Sequence, residues 1–276
     1  MNFISKYIYK ALVINGFLIL SGCNSDNEQK IDSKNWQLTW SDEFNGAAGA
    51  LPDATKWSFD IGNGTEGWGN KELQYYTNNP SNISTDGNGN LVITAKKETV
   101  SGFSYSSARI KTKNLFAQTY GKFEARLKTP YGQGLWPAFW LLGSNVDTVN
   151  WPNCGEIDIM ELRGQLPSIA NCALHGPGYS GTNPITGSYA LMNSRFDFDY
   201  HIFAVEWDAD KMDFFVDGFL YKRIEKNEVT SKGQWAFDHN FFMILNLAVG
   251  GNYLGSPNVT TTFPQKMTID YVRVYQ

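Results

Sequence analysis

The chain is short of charge, of cysteine and of long apolar runs, and each shortage removes a class of protein. Asp, Glu, Lys and Arg make up only 18% of the 276 residues, with a formal net charge of −4. No basic run stands out, which argues against nucleic acid as a partner. No long segment carries the 3.6-residue apolar period of an amphipathic helix. The apolar run Ala11 to Leu20 is too short to span a bilayer. Three cysteines are present, and Cys23 lies apart from Cys154 and Cys172. If Cys154 to Leu162 and Ile169 to His175 form a hairpin, the latter two sit several residues out of register, beyond disulfide reach. Two free, buried thiols are expected.

What the chain has in plenty is aromatic residues, at 15% with nine Trp, together with 26 Gly. That composition suits a sheet-rich protein whose surface stacks on flat apolar faces. Short alternating stretches separated by turn signals recur throughout. Strands are expected over Trp36–Trp40, Trp57–Phe59, Leu91–Lys96, Ala108–Thr112, Gly121–Lys128, Leu135–Leu142 and Ile169–His175. Further strands are expected over Phe203–Trp207, Lys211–Val216, Phe219–Ile224, Phe241–Val249 and Met267–Tyr275. Asp217-Gly218 marks a tight hairpin turn. Gly62 to Asn70, rich in glycine with one Trp, reads as a loop and a candidate cleft wall. The fold class is all-β, an antiparallel two-sheet sandwich in one domain over residues 36–276.

The N-terminus reads as a targeting segment. Lys6 and Lys10 give a positive start, the apolar run follows, and Leu20-Ser-Gly-Cys23 resembles a bacterial lipoprotein box. The resemblance implies a signal peptide over 1–22, lipidation of Cys23 and a flexible tether over 23–35. The protein would then be anchored to a membrane by lipid, at the cell surface or in the periplasm, without a spanning helix.

The stretch Gly155-Glu-Ile-Asp-Ile-Met-Glu161 holds three carboxylates with apolar residues between them. On a strand, Glu156 and Asp158 share one face while Ile157 and Ile159 face the core. Strict alternation would turn Glu161 inward, where an unpaired carboxylate is expensive. One extra residue near Ile159 or Met160, a β-bulge, would return Glu161 to the face of the other two. Like charges that close raise at least one pKa, giving the ionised and protonated carboxyls that glycoside hydrolysis uses. The bland alternative is a solvated strand face with acids on it.

Glu156-Ile-Asp-Ile-Met-Glu161 resembles the bulged catalytic signature of glycoside hydrolase family 16. Leu135-Trp-Pro-Ala-Phe-Trp140, Asn150-Trp-Pro-Asn-Cys154, Leu174-His-Gly-Pro-Gly-Tyr-Ser180 and Asn246-Leu-Ala-Val-Gly-Gly251 resemble its laminarinase-type branch. The resemblance covers Trp36 to Gln276. It implies a concanavalin-like β-jelly roll with a concave glycan-binding cleft, and a retaining endo-β-1,3- or β-1,3-1,4-glucanase needing no cofactor for catalysis. By that likeness Glu156 is the nucleophile, Glu161 the general acid and base, and Asp158 the residue that tunes both. Asn70 and Arg109 match positions that bind sugar hydroxyls, and Trp151 resembles a subsite Trp. Trp136 and Trp140 share a strand face, as cleft floor or as core. His175, opposite the Glu156 end of a hairpin, is placed to donate to Asp158 or to substrate; otherwise it is a structural His. A structural calcium is implied at Glu43, the backbone of Gly121, and Asp270. The expected partner is a β-glucan, and the expected state a monomer. Two rivals stay open: a glycan-binding lipoprotein that has lost catalysis, and the same chemistry on agar, carrageenan or xyloglucan.

Overall fold

The computed structural model describes residues 34–276. The signal segment, Cys23 and nearly all of the 23–35 tether lie outside the described residues. Two large antiparallel sheets dominate, as the sequence pattern predicts. The front sheet has seven strands in the spatial order Ile185–Ala190, Ile169–His175, Glu156–Leu162, Leu135–Gly143, Phe241–Val249, Arg109–Lys111 and Ser58–Asp60. The back sheet has eight. Its main path runs Phe219–Glu225, Lys211–Val216, His201–Trp207, Gly121–Lys128, Gln265–Tyr275, Leu91–Ala95 and Ile83–Thr85, and Leu38–Asp42 also pairs with Gln265–Tyr275. A small parallel pair, Gln74–Tyr76 with Tyr105–Ser107, completes the β structure.

The core lies between the sheets and follows from alternation. Phe123, Ala125 and Leu127 from the back sheet are fully buried, as are Phe139, Leu141, Ile157, Met243, Leu245 and Leu247 from the front sheet. Each Phe, Leu, Ile or Met among them contributes about 1.5–3 kcal/mol on leaving water. The opposite parity of the front-sheet strands is thereby assigned to the outer face, where the three acids are found. Asp217 and Gly218 both have positive φ and close the two-residue hairpin between Lys211–Val216 and Phe219–Glu225.

Some boundaries moved. The first strand is Leu38–Asp42 rather than Trp36–Trp40, because its partner strand ends at Tyr275 and only Gln37 continues the pairing, with Gln276. The edge strand Ile185–Ala190 escaped the sequence pattern. Its outward residues Thr186, Ser188 and Ala190 are exposed, so it has little apolar alternation to read. The short α-helix Lys226–Thr230 is also unforeseen. Among the described residues no helix is long and apolar enough to cross a membrane.

The strand register lays one row of residues straight across the outer face of the front sheet. Asp60, Arg109, Asn246, Ala138, Glu161, Asn171 and Ser188 are successive ladder partners. At roughly 4.8 Å per strand the row spans about 29 Å.

Candidate active site

The acid strand carries the predicted irregularity. Its pairing with Ile169–His175 shifts between Asp158 and Glu161, and its pairing with Leu135–Gly143 shifts between Asp158 and Met160. Ile157, Ile159, Met160 and Leu162 are buried on the core side. The extra residue lets Glu161 keep the face of Glu156 and Asp158, since the two residues of a bulge occupy one step of the partner.

Each glutamate is held by an indole. Trp151 Nε1 donates to Glu156 Oε2 at 3.0 Å, and Trp136 Nε1 donates to Glu161 Oε1 at 2.9 Å. Trp136 lies against the ring of Tyr253 at 4.9 Å, and the Arg163 guanidinium sits 4.0 Å over Tyr253. Asp158 is 4% exposed, and its Oδ2 has no hydrogen-bond partner. His175 pairs in register with Glu156. Its Nε2 lies 3.3 Å from Asp158 Oδ2 and 3.7 Å from Glu156 Oε1, off the line of a hydrogen bond. The Trp151 ring stands 5.9 Å from His175.

Burial pushes all three carboxyls up, to about 8 each. At Glu156 the charge of Asp158 adds to burial, while His175 and the Trp151 N–H oppose it. At Glu161 Asp158 again adds, and His175, Trp136 and Arg163 oppose. Near neutral pH the trio therefore keeps protons that exposed acids would have lost. One strand can then present both a proton donor and a carboxylate.

A second cluster sits where the row crosses Phe241–Val249 and Arg109–Lys111. The Arg109 guanidinium lies between the rings of Trp68 and Trp140, at 4.6 and 4.9 Å, with its Nε 2.9 Å from Asp60. Trp140 Nε1 donates to Asn246 Oδ1 at 2.8 Å. Trp140 is thus a half-buried residue of the outer face rather than core. Asn70 Nδ2 reaches Glu72 Oε1 at 3.4 Å.

Sequence reasoning missed the hub of this cluster, Glu72. It is 7% exposed and accepts from Gln74 Nε2 at 2.6 Å and Tyr76 Oη at 3.2 Å, besides Asn70. Asn246 Nδ2 donates to Tyr76 Oη in turn. Burial raises the Glu72 pKa against these partners. Asn246 was the available signal: it is the sole polar residue in Phe241–Val249, and a buried polar side chain implies partners. Glu72 ends a loop in which Glu66, Gly67, Trp68, Gly69 and Lys71 all have positive φ. A Cβ on Gly67 would lie 2.4 Å from the Glu72 nitrogen, so only glycine closes the loop there. Three non-glycine residues in this region are each strained by about 1–3 kcal/mol, and the Glu72 network holds them.

The calcium trio does not converge. Glu43 is forked by Arg273, with contacts of 2.9 and 2.8 Å, and that guanidinium holds its carboxyl below the usual range. Asp270 is paired with Arg126. Gly121 stands at the other end of its strand, where Lys122 is in register with Tyr275. Five strand residues, about 17 Å, separate Gly121 from Arg126. These residues cannot share one ion. Cys154 and Cys172 are free and buried, and burial pushes their thiols to about 11 and about 12.

Comparison with known proteins adds to this geometry. The family profile described as "Glycosyl hydrolases family 16" matches residues 70–273. The chain is 39% identical over 269 residues to a beta-glucanase of Rhodothermus marinus, covering 94% of this chain and 92% of that one. It is 42% identical over 241 residues to the clotting factor G alpha subunit of Tachypleus tridentatus, covering 87% of this chain but only 34% of that protein. The laminarinase catalytic domain of Thermotoga maritima MSB8, solved with cetyltrimethylammonium bromide, superposes with a TM-score of 0.84. It is 48% identical, covering 88% of this chain and 99% of that one.

Proposed function

The chain belongs to glycosyl hydrolases family 16, and from that premise we propose that its acid strand performs endo-acting, retaining hydrolysis of β-1,3 and mixed β-1,3-1,4 glucans. The observation that carries the reading is the bulge, which keeps three acids on one face, Asp158 buried and the two glutamates half-buried. Retention needs two carboxyls about 5–5.5 Å apart. The bulge sets Glu156 and Glu161 on the same face of one strand, with Asp158 between them in sequence.

The three coupled acids share protons, and in the reacting form of this reading Glu161 carries one while Glu156 is the carboxylate that the Trp151 N–H holds. Glu161 gives its proton to the glycosidic oxygen as the bond breaks. Glu156, kept in line by the Trp151 N–H, attacks the anomeric carbon and forms the glycosyl-enzyme. Glu161, now a carboxylate, takes a proton from a water whose oxygen attacks the anomeric carbon; the bond to Glu156 breaks, and the sugar leaves with its original configuration. Asp158 raises both neighbours, and His175 offsets part of the charge they build. Arg109, Trp140, Trp68 and Asn70 supply guanidinium, ring and amide groups suited to sugar hydroxyls and C–H faces. No cofactor enters these steps. A purely binding role is disfavoured, since three clustered acids withdrawn in whole or in part from water cost stability that binding alone does not require.

The export reading accompanies this one as a proposal. The ordered charge, apolar run and box ending at Cys23 support a lipid-anchored enzyme acting on a polymer outside the cell. Loss of palmitate labelling in Cys23→Ser would agree, and unchanged labelling would exclude it.

The main test compares laminarin, lichenan and barley β-glucan, with product sizing and proton NMR of fresh products. Mid-chain cleavage with the β-anomer first is expected. An initial α-anomer removes the retaining assignment, and inactivity on all three glucans removes the substrate class.

A further inference from the structure

We propose that Glu156, Asp158 and His175 form a binding site for a borderline divalent cation of the zinc class, which occupies the reaction centre as a reversible inhibitor. One ligand atom from each of the three lies within 4.8 Å of the others. A tetrahedral zinc with bonds of about 2.0–2.1 Å places its ligand atoms about 3.3–3.4 Å apart. His175 Nε2 already stands 3.3 Å from Asp158 Oδ2 and 3.7 Å from Glu156 Oε1. The remaining edge closes with a small swing of the Glu156 side chain. That swing is compatible with its second oxygen, Oε2, keeping the Trp151 N–H.

Two features point to a cation rather than to acids alone. Asp158 Oδ2 is buried and accepts no hydrogen bond, so a lone pair is directed into the site without a partner. An imidazole nitrogen beside two carboxyl groups is a donor set that suits zinc or copper, whereas calcium and magnesium take oxygen ligands. The two charges of such an ion also cancel the repulsion between Glu156 and Asp158. The fourth position faces the outer side of the sheet, where substrate approaches. Because Glu156 would be a ligand, it cannot attack while the ion is bound, and cation and glucan compete.

The test uses chelator-treated full chain and zinc chloride in calorimetry, with cobalt(II) absorption as a readout of coordination. One site per chain is expected, weakened at least about ten-fold in His175→Ala, as loss of a ligand implies. Zinc should raise KM for laminarin without lowering kcat, and chelator should reverse it. The thiols are the competing ligands, so the double variant Cys154→Ser/Cys172→Ser should bind zinc as the parent does. No binding, equal binding in His175→Ala, or loss in the cysteine variant would each overturn the site. If His175→Ala does not fold, His175→Gln takes its place. Calorimetry needs no substrate, so a failure of the glucanase reading leaves this test intact.

Discussion

Neutralising Glu156, the proposed nucleophile, should stabilise the protein, and only at high pH. Glu156 has its carboxyl pushed up to about 8 from the usual 4.5, chiefly by burial. The folded chain therefore holds a proton that the unfolded chain releases. Stability is then intact below about pH 4.5 and declines as pH rises toward 8. At about 1.36 kcal/mol per pH unit, a lone group of this kind would cost about 5 kcal/mol above pH 8. Three coupled acids share that penalty, so removing one charge should return about 2–3 kcal/mol. For a domain of this size each kcal/mol moves Tm by about 2–4 °C. Glu156→Gln keeps the shape and an oxygen for the Trp151 N–H. Its Tm should equal that of the parent at pH 4 and exceed it by about 5–10 °C at pH 8.5, with hydrolysis abolished. Scanning calorimetry across this range decides the matter. A Tm difference independent of pH, or a less stable variant at pH 8.5, would refute the reasoning.

Other outcomes follow from the same geometry. Asp158 and Glu156 oxygens within 4.8 Å repel by about 3.5 kcal/mol at an effective dielectric of 20. With His175 sharing the field, Asp158→Asn should move the kcat/KM profile about one pH unit toward acid, both limbs included; no displacement, or an alkaline one, counts against the tuning role. Glu72→Ala leaves three donors without an acceptor, which should cost about 3 kcal/mol and raise KM about ten-fold with kcat within about two-fold. Glu72→Gln should recover part of both, and a fall in kcat alone would contradict the positioning argument. Cys154 and Cys172 should not react with a thiol reagent until the chain is unfolded, and rapid native labelling would show that the site opens.

The outer face of the acid strand was legible because alternation and the cost of burying a carboxylate are local. They placed Glu156 and Asp158 together and called for the bulge that returns Glu161. Hairpin register, also local, set His175 against Glu156. The Glu72 hub was not legible, because Tyr76 and Asn246 lie 170 residues apart and only sheet pairing brings them together. Gly121 failed for the same reason. Its strand runs antiparallel to Gln265–Tyr275, so Gly121 meets the Tyr275 end while Arg126 meets Asp270. A sequence names both residues without saying which ends coincide. Ile185–Ala190 was lost because an edge strand with Thr and Ser outward has no apolar beat.

The row that crosses the front sheet also works as a ruler with an off-centre mark. Two strands lie beyond Glu161 on one side and four on the other, about 10 Å against about 19 Å. A linear polymer laid along it is gripped over unequal lengths, and the longer arm carries the guanidinium and indole groups around Arg109 and Trp140. The short arm offers Asn171, Ser188 and the exposed edge, so the piece resting there has few contacts to break before it leaves.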